Sequence, residues 1–215
     1  MSIKRQRGLT IIELVLFMVI MGVAAAGIIG VLNLSATSSA DPLRRKQAML
    51  IAEAFMEEVQ LARFTFCVPG DANESTAINQ NGCSNAGNTV AVRPRPAGMG
   101  RPYANVADYA TAINADEPTF AVNGVDTDVN GRALGRDAAL NQMGNSSLGP
   151  ITTTVALNFV PASAPLGPTA GAANLRIQST ANALEVLQIT IITRYGGPND
   201  VIRLDGFRTR YAPNN

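Results

Sequence analysis

Histidine and tryptophan are missing from all 215 residues, and cysteine occurs only twice. Each absence removes a class of chemistry. Without histidine there is no Ser-His-Asp triad, no Cys-His pair and no imidazole to hold a catalytic metal. Two cysteines and no histidine cannot assemble a usual tetrahedral zinc set. Charged residues make up only 15% and the formal net charge is +1, so no field exists to attract nucleic acid, and none is expected as a partner. Gly196-Gly197 lacks the surroundings of a phosphate-binding loop. The adjacent carboxylates Glu57-Glu58 and Asp116-Glu117 diverge on any regular element and read as solvated surface. No enzyme is expected.

What is present is unevenly placed. Hydrophobic residues reach 47% although aromatics supply only 5%. Much of the excess lies between Leu14 and Leu32, nineteen consecutive residues without a polar or charged side chain. As a helix this run spans roughly 29 Å, the hydrocarbon thickness of a bilayer. Lys4, Arg5 and Arg7 precede it, and the remaining 14 basic and 16 acidic residues nearly cancel. The positive-inside rule puts the N-terminus in the cytoplasm and everything beyond about Ser35 across the membrane.

A basic flank and an apolar run admit three readings. They are an ordinary signal peptide cut after Ala26, a plain anchor, or a specialised leader. Arg7-Gly8-Leu9-Thr10-Ile11-Ile12-Glu13-Leu14 separates them, because a carboxylate inside an apolar helix is costly and neither of the first two gains from it. The octapeptide resembles the type IV prepilin signature: basic residue, glycine, apolar first mature residue, glutamate at the fifth mature position. Leu9 departs mildly from the usual phenylalanine. The resemblance implies cleavage between Gly8 and Leu9 and N-methylation of Leu9 by prepilin peptidase. It also implies that Glu13 pairs with an α-amino group, its own or a neighbouring subunit's, to set register during assembly. Gly22, Ala26 and Gly30 recur every four residues, a small-residue stripe that lets helix backbones approach.

The expected organisation is a leader at 1–8, a membrane and filament-core helix at 9–34, and an exported domain at 35–215. Asp41-Pro42 is either a helix start or a kink within one long helix. Ala48, Ile51, Phe55, Val59 and Ala62 recur at helical spacing, predicting an amphipathic helix over 42–64 with Arg44, Arg45, Glu53 and Glu57 largely off its apolar face. Residues 65–150 read as loops with short strands at Val90–Val92 and Phe120–Val122 and a disordered stretch around Arg93–Pro102. Ile151–Val160, Leu184–Tyr195 and Val201–Tyr211 read as strands, the last two joined by a hairpin at Gly196–Asp200. The fold class is therefore α+β, a long N-terminal helix packed on a C-terminal antiparallel sheet. Cys67 and Cys83, in an exported and oxidising setting, predict a disulfide.

Pro42-Leu43, Ala54-Phe55-Met56-Glu57-Glu58, Phe64, Asn105-Val106-Ala107-Asp108-Tyr109 and Leu204–Tyr211 resemble the MshD family of minor pilins from mannose-sensitive haemagglutinin pili. That resemblance implies a non-catalytic subunit, held in the inner membrane and lipid before assembly and in a surface pilus afterwards, serving adhesion or motility. Its implied partners are other pilins through the N-terminal helix, prepilin peptidase and the inner-membrane assembly platform. A pseudopilin of type II secretion shares the leader and helix. An adhesin or other binding protein released by an ordinary signal peptide is the alternative of another class. Asp126, Asp128, Asn130 and Asp137 follow a D-x-D-x-N-G pattern with a carboxylate at position twelve, the spacing of a Ca²⁺ loop. Arg132 and Arg136 inside the loop argue instead for an Asx-rich turn, and no cofactor is otherwise expected.

Overall fold

The computed structural model describes residues 10–92, 95, 98–143, 148–167, 176–181 and 183–210, with the backbone alone over 33–41. The chain divides into two compact units, Met1–Leu43 and Arg44–Asn215. Helix α1 (Ile11–Leu61) begins in the first and ends in the second, with Pro42 inside it. No new helix starts at Asp41-Pro42, so the capping alternative is not the one taken.

In the first unit every described side chain from Thr10 to Leu32 is exposed. Ile11–Leu32, 22 residues of mean hydropathy 2.7, is long and apolar enough to cross a membrane.

The second unit is built around the last part of α1. Ala48, Ala52 and Val59 are fully buried and Phe55 almost so, forming the stripe that the helical spacing predicts. They face a three-stranded antiparallel sheet of order β3-β6-β7. Its strands are β3 (Thr152–Phe159), β6 (Val186–Arg194) and β7 (Val201–Thr209). In β6 the alternate residues Leu187, Ile189 and Ile191 are all fully buried and join the helix stripe in one core. The register pairs Ile191 with Val155 and Leu204, and Ile189 with Leu157 and Gly206. Where β7 passes under the helix, a Cβ on Gly206 would come within 2.8 Å of Gln60 Nε2, so the absence of a side chain there permits the approach. The hairpin lies at Gly196–Asp200, closed by the Tyr195 amide on the Asp200 carbonyl and the Gly197 amide on Asp200 Oδ2.

Short elements fill the remainder. β1 (Ala121–Val122) pairs with β2 (Val125–Asp126), and β4 (Ser179–Thr180) with β5 (Ala183–Leu184). Val90–Val92 forms no strand; the Val90 amide bonds the Phe66 carbonyl beside an isolated bridge between Cys67 and Thr89. A 3₁₀ turn at Val106–Tyr109, capped by Asn105 Oδ1 on the Ala107 amide, plugs the core with Val106, Ala107 and Tyr109. Arg44 departs from the expected pattern. It lies on the buried face, 1% exposed, donating to the Tyr195 and Gly149 carbonyls at 2.6 and 2.8 Å. A guanidinium can enter the core there because two carbonyls, one just past the end of β6 and one just before β3, accept its protons.

Candidate functional site

Gly8 and Leu9 lie outside the described residues, so the apolar helix is described from just after them. Thr10 stands at its start: the Glu13 and Leu14 amides donate to the Thr10 carbonyl. The Glu13 carboxylate reaches back to the Thr10 amide at 3.4 Å and its hydroxyl at 3.5 Å. This is the carboxylate half of a Thr-x-x-Glu capping box, which gives the Thr10 amide an acceptor and sets negative charge against the positive end of the helix dipole. The pattern was legible in Thr10-Ile11-Ile12-Glu13 and adds a second role for Glu13 to the one implied by the leader. The carboxylate stays exposed and available to a partner.

Gly22, Ala26 and Gly30 are exposed on the same helix. A Cβ built on Gly22 or Gly30 would meet nothing within 4 Å. The room that these positions leave is therefore open to another helix, and none of the described residues of the unit fills it.

In the second unit Cys67 and Cys83 are joined by a disulfide with Cα atoms 5.5 Å apart. The loop it closes is organised by Asp71. One carboxylate oxygen accepts from the Asn73 and Ser84 amides, and the other from the Ser84 hydroxyl and Asn88 Nδ2. These bonds, those of the Ser84 and Asn88 side chains foremost, hold its carboxyl well below the usual range. Asp71 was not singled out in the sequence, where nothing marks one Asx among many.

A dense polar cluster, centred on Arg101, lies against the last part of the helix. Arg101 forms a bidentate pair with Glu58 at 2.9 and 2.6 Å and donates through Nη1 to the Phe120 and Thr127 carbonyls. Its guanidinium also sits over Phe55 and Phe120, whose rings stack at 3.9 Å. The Tyr109 hydroxyl donates to Glu58, and burial followed by the Glu58 charge raises its pKa. The disordered stretch expected around Arg93–Pro102 is thus corrected at its C-terminal end, because Arg101 has four anchors in the core. Residues 93, 94, 96 and 97 lie outside the described set.

The candidate calcium residues are not gathered into a ligand set. Asp128 Oδ1 accepts from the Asn130 and Arg132 amides, and Oδ2 from Arg132 Nε at 2.8 Å. The Arg132 amide foremost, with its side chain, lowers the pKa of Asp128. Asp137 repeats the arrangement nine positions on, accepting from the Ala139 and Asn141 amides. Both turns need a left-handed residue, supplied by Gly131 (φ 79°) and by Leu140 (φ 65°). Asp126 is separate and 1% exposed, and neither of its oxygens has a hydrogen-bond partner of good geometry. Its carboxyl is pushed up to about 6 by burial, offset in part by Thr153 and Arg101. Two aspartates serve their own turns and the third is enclosed. Among the described residues no group of three or more acidic or thiol side chains could hold a metal ion.

A long N-terminal apolar helix with a C-terminal antiparallel sheet is the α+β arrangement of pilin-like folds. Residues 3–29 match the family model of the prokaryotic N-terminal methylation motif, which indicates a precursor of the type IV pilin or pseudopilin kind. No curated protein and no solved structure matches the chain.

Proposed function

We propose that this chain is a minor type IV pilin of the MshD kind. Prepilin peptidase cuts it between Gly8 and Leu9 and methylates Leu9. The helix over 9–34 holds it in the inner membrane with the domain 35–215 in the periplasm, until the assembly platform passes it into a surface pilus. The observation that carries this reading is the methylation motif at 3–29 leading into Ile11–Leu32, with Glu13 the one charged side chain of that span. A carboxylate kept at that depth needs a partner, and a neighbouring subunit's α-amino group supplies one of opposite charge. The disulfide of the second unit suits an exported domain. Pilin-type subunits are structural, and no catalysis is assigned. A type II secretion pseudopilin shares all of these N-terminal features, because the motif is common to both.

Intact mass measurement of the protein from its native host tests the reading. A mature chain beginning at N-methylated Leu9 is expected. A chain beginning at Gly27 would make it an ordinary secreted protein and overturn the proposal. Deletion then separates the filaments: loss of surface pili supports the minor pilin, and loss of protein secretion with pili intact replaces it by the pseudopilin.

A further inference from the structure

The sheet of the second unit is covered along one edge and open along the other. At β3 the edge is met by bridges from Ile113 to Leu157 and from Glu117 to Val155. β7 is the other edge, and among the described residues no strand or bridge pairs with its outer side. The Tyr195 amide bonds the Asp200 carbonyl and the Arg210 amide the Glu185 carbonyl. In that register the even-numbered residues of β7 are the ones bonded to β6. Arg203, Asp205, Phe207 and Thr209 therefore aim their amides and carbonyls outward, while the Val201 amide turns to the Asn199 carbonyl. The side chains of these five residues share the solvent face, with Val201 40% and Phe207 47% exposed.

The order of side chains makes this edge complementary to itself. Two β7 edges laid antiparallel, with Leu204 opposite Leu204, set Arg203 against the copy's Asp205 and Val201 against its Phe207, each twice. Arg203 and Asp205 already pair along the strand, Nε to Oδ2 at 2.9 Å, so the charges of the two copies alternate in sign around a square. The exposed Val201 and Phe207 cover each other at both ends. Sliding by two residues puts Asp205 on Asp205 in one direction and Arg203 on Arg203 in the other. A slip of one residue sets outward backbone groups against inward ones. A charge usually guards an open edge by meeting its own sign on a copy. Here the opposite charges straddle the axis and attract.

We infer that β7 is a two-fold docking edge for a second copy of the chain, joining the two three-stranded sheets side by side. The contact does not depend on the pilin reading; the source of the copy does. The axis stands perpendicular to the sheet and reverses the part of α1 that lies across it. Copies in one filament run the same way, so the partner is a copy carried by another filament running the other way.

Leu204→Cys in the full chain, held in detergent, tests the contact. Leu204 meets its copy between two hydrogen-bonded pairs, where Cα atoms come within disulfide reach. Mild oxidation is expected to trap dimers and nothing larger. Ile202→Cys, about 14 Å from its counterpart along the strands, should trap none. Arg203→Asp or Asp205→Arg, each added to Leu204→Cys, should cut the yield roughly tenfold by opposing like charges twice. Mixed together, these two variants should regain it, because each offers the charge that the other lacks; a pair that serves only its own strand would leave the mixture as poor as its components. Retention of the Cys67–Cys83 disulfide checks folding, and exposed Arg203→Cys and Asp205→Cys chains, which spare the core, should cross-link with each other. No dimer from folded chains, equal yield from Ile202→Cys, or no recovery in the mixture would overturn the inference. Sheared filaments from two strains with different tags should give mixed-tag dimers once combined; same-tag dimers alone would overturn the source of the copy and leave the contact. Chains never cut at Leu9 would overturn the pilin reading, and the result in detergent would stand apart from it.

Discussion

Replacing Asp126 by asparagine is expected to stabilise the protein at neutral pH and to leave it nearly unchanged near pH 4. Asp126 is 1% exposed, and neither carboxylate oxygen has a hydrogen-bond partner of good geometry. Burial moves its pKa from 3.8 to about 6, with Thr153 and the charge of Arg101 offsetting only part. Two units at about 1.4 kcal/mol each give about 3 kcal/mol. The folded-state value is raised, so the protonated acid is the form that the fold accepts. Its contribution is fully present below about pH 4, is lost as pH rises through 6, and is absent above that. Asparagine keeps the shape and never ionises, although its amide is also left without good partners. The net gain at pH 7.5 is therefore about 1–3 kcal/mol. In a domain of this size that raises the Tm by several degrees. Thermal unfolding of both full chains in detergent, in steps from pH 4 to pH 8, reads it directly. The difference between the two curves should be flat near pH 4, climb through pH 6 and level off. Parallel curves with no pH-dependent gap would mean that the carboxylate is hydrated or paired, and would refute the reasoning.

Arg101→Met should destabilise the second unit by about 3–5 kcal/mol, because it removes the bidentate partner of the Glu58 carboxylate, leaving it the Tyr109 hydroxyl, and takes a donor from the Thr127 carbonyl. Urea midpoints would show it, with Glu58→Gln in the same chain recovering part of the loss. Replacing both Cys67 and Cys83 by serine should cost about 3 kcal/mol, the effect expected for a loop of this length. Reductant should lower the Tm of the unaltered chain by a similar amount and leave the variant unmoved. Glu13→Ala should remain in the membrane fraction and disappear from sheared filaments; wild-type levels in filaments would remove the assembly role proposed for Glu13.

The parts of this protein that follow from local pattern were legible in its residues. The apolar run from Leu14 to Leu32, the helical stripe Ala48–Ile51–Phe55–Val59–Ala62 and the hairpin at Gly196–Asp200 each depend on neighbours close in sequence. Their periods of 3.6 and 2 survive in any tertiary setting. Strand ends shifted by one or two residues, Leu184–Tyr195 giving way to Val186–Arg194. Val90–Val92 has the composition of a strand, but its pairing with the segment at Phe66–Val68 stops at one bridge and the Val90 amide, and composition does not set how far a pairing runs.

Polar residues were a different matter. By its spacing Arg44 read as solvated, yet it lies in the core, because carbonyls from Tyr195 and Gly149, more than a hundred positions away, meet it there. Asp126, Asp128 and Asp137 shared a ligand-like spacing, and the structure gave them separate fates: one enclosed without good partners, two capping tandem turns. Nothing in the residues around Asp71 or Arg101 marked them as hubs. The sequence alone determined where the chain is apolar, helical or extended, since those depend on the period of the side chains. Only the tertiary structure decided which charges are buried and what meets them, because a charge is admitted to the core by donors and acceptors that distant segments bring together.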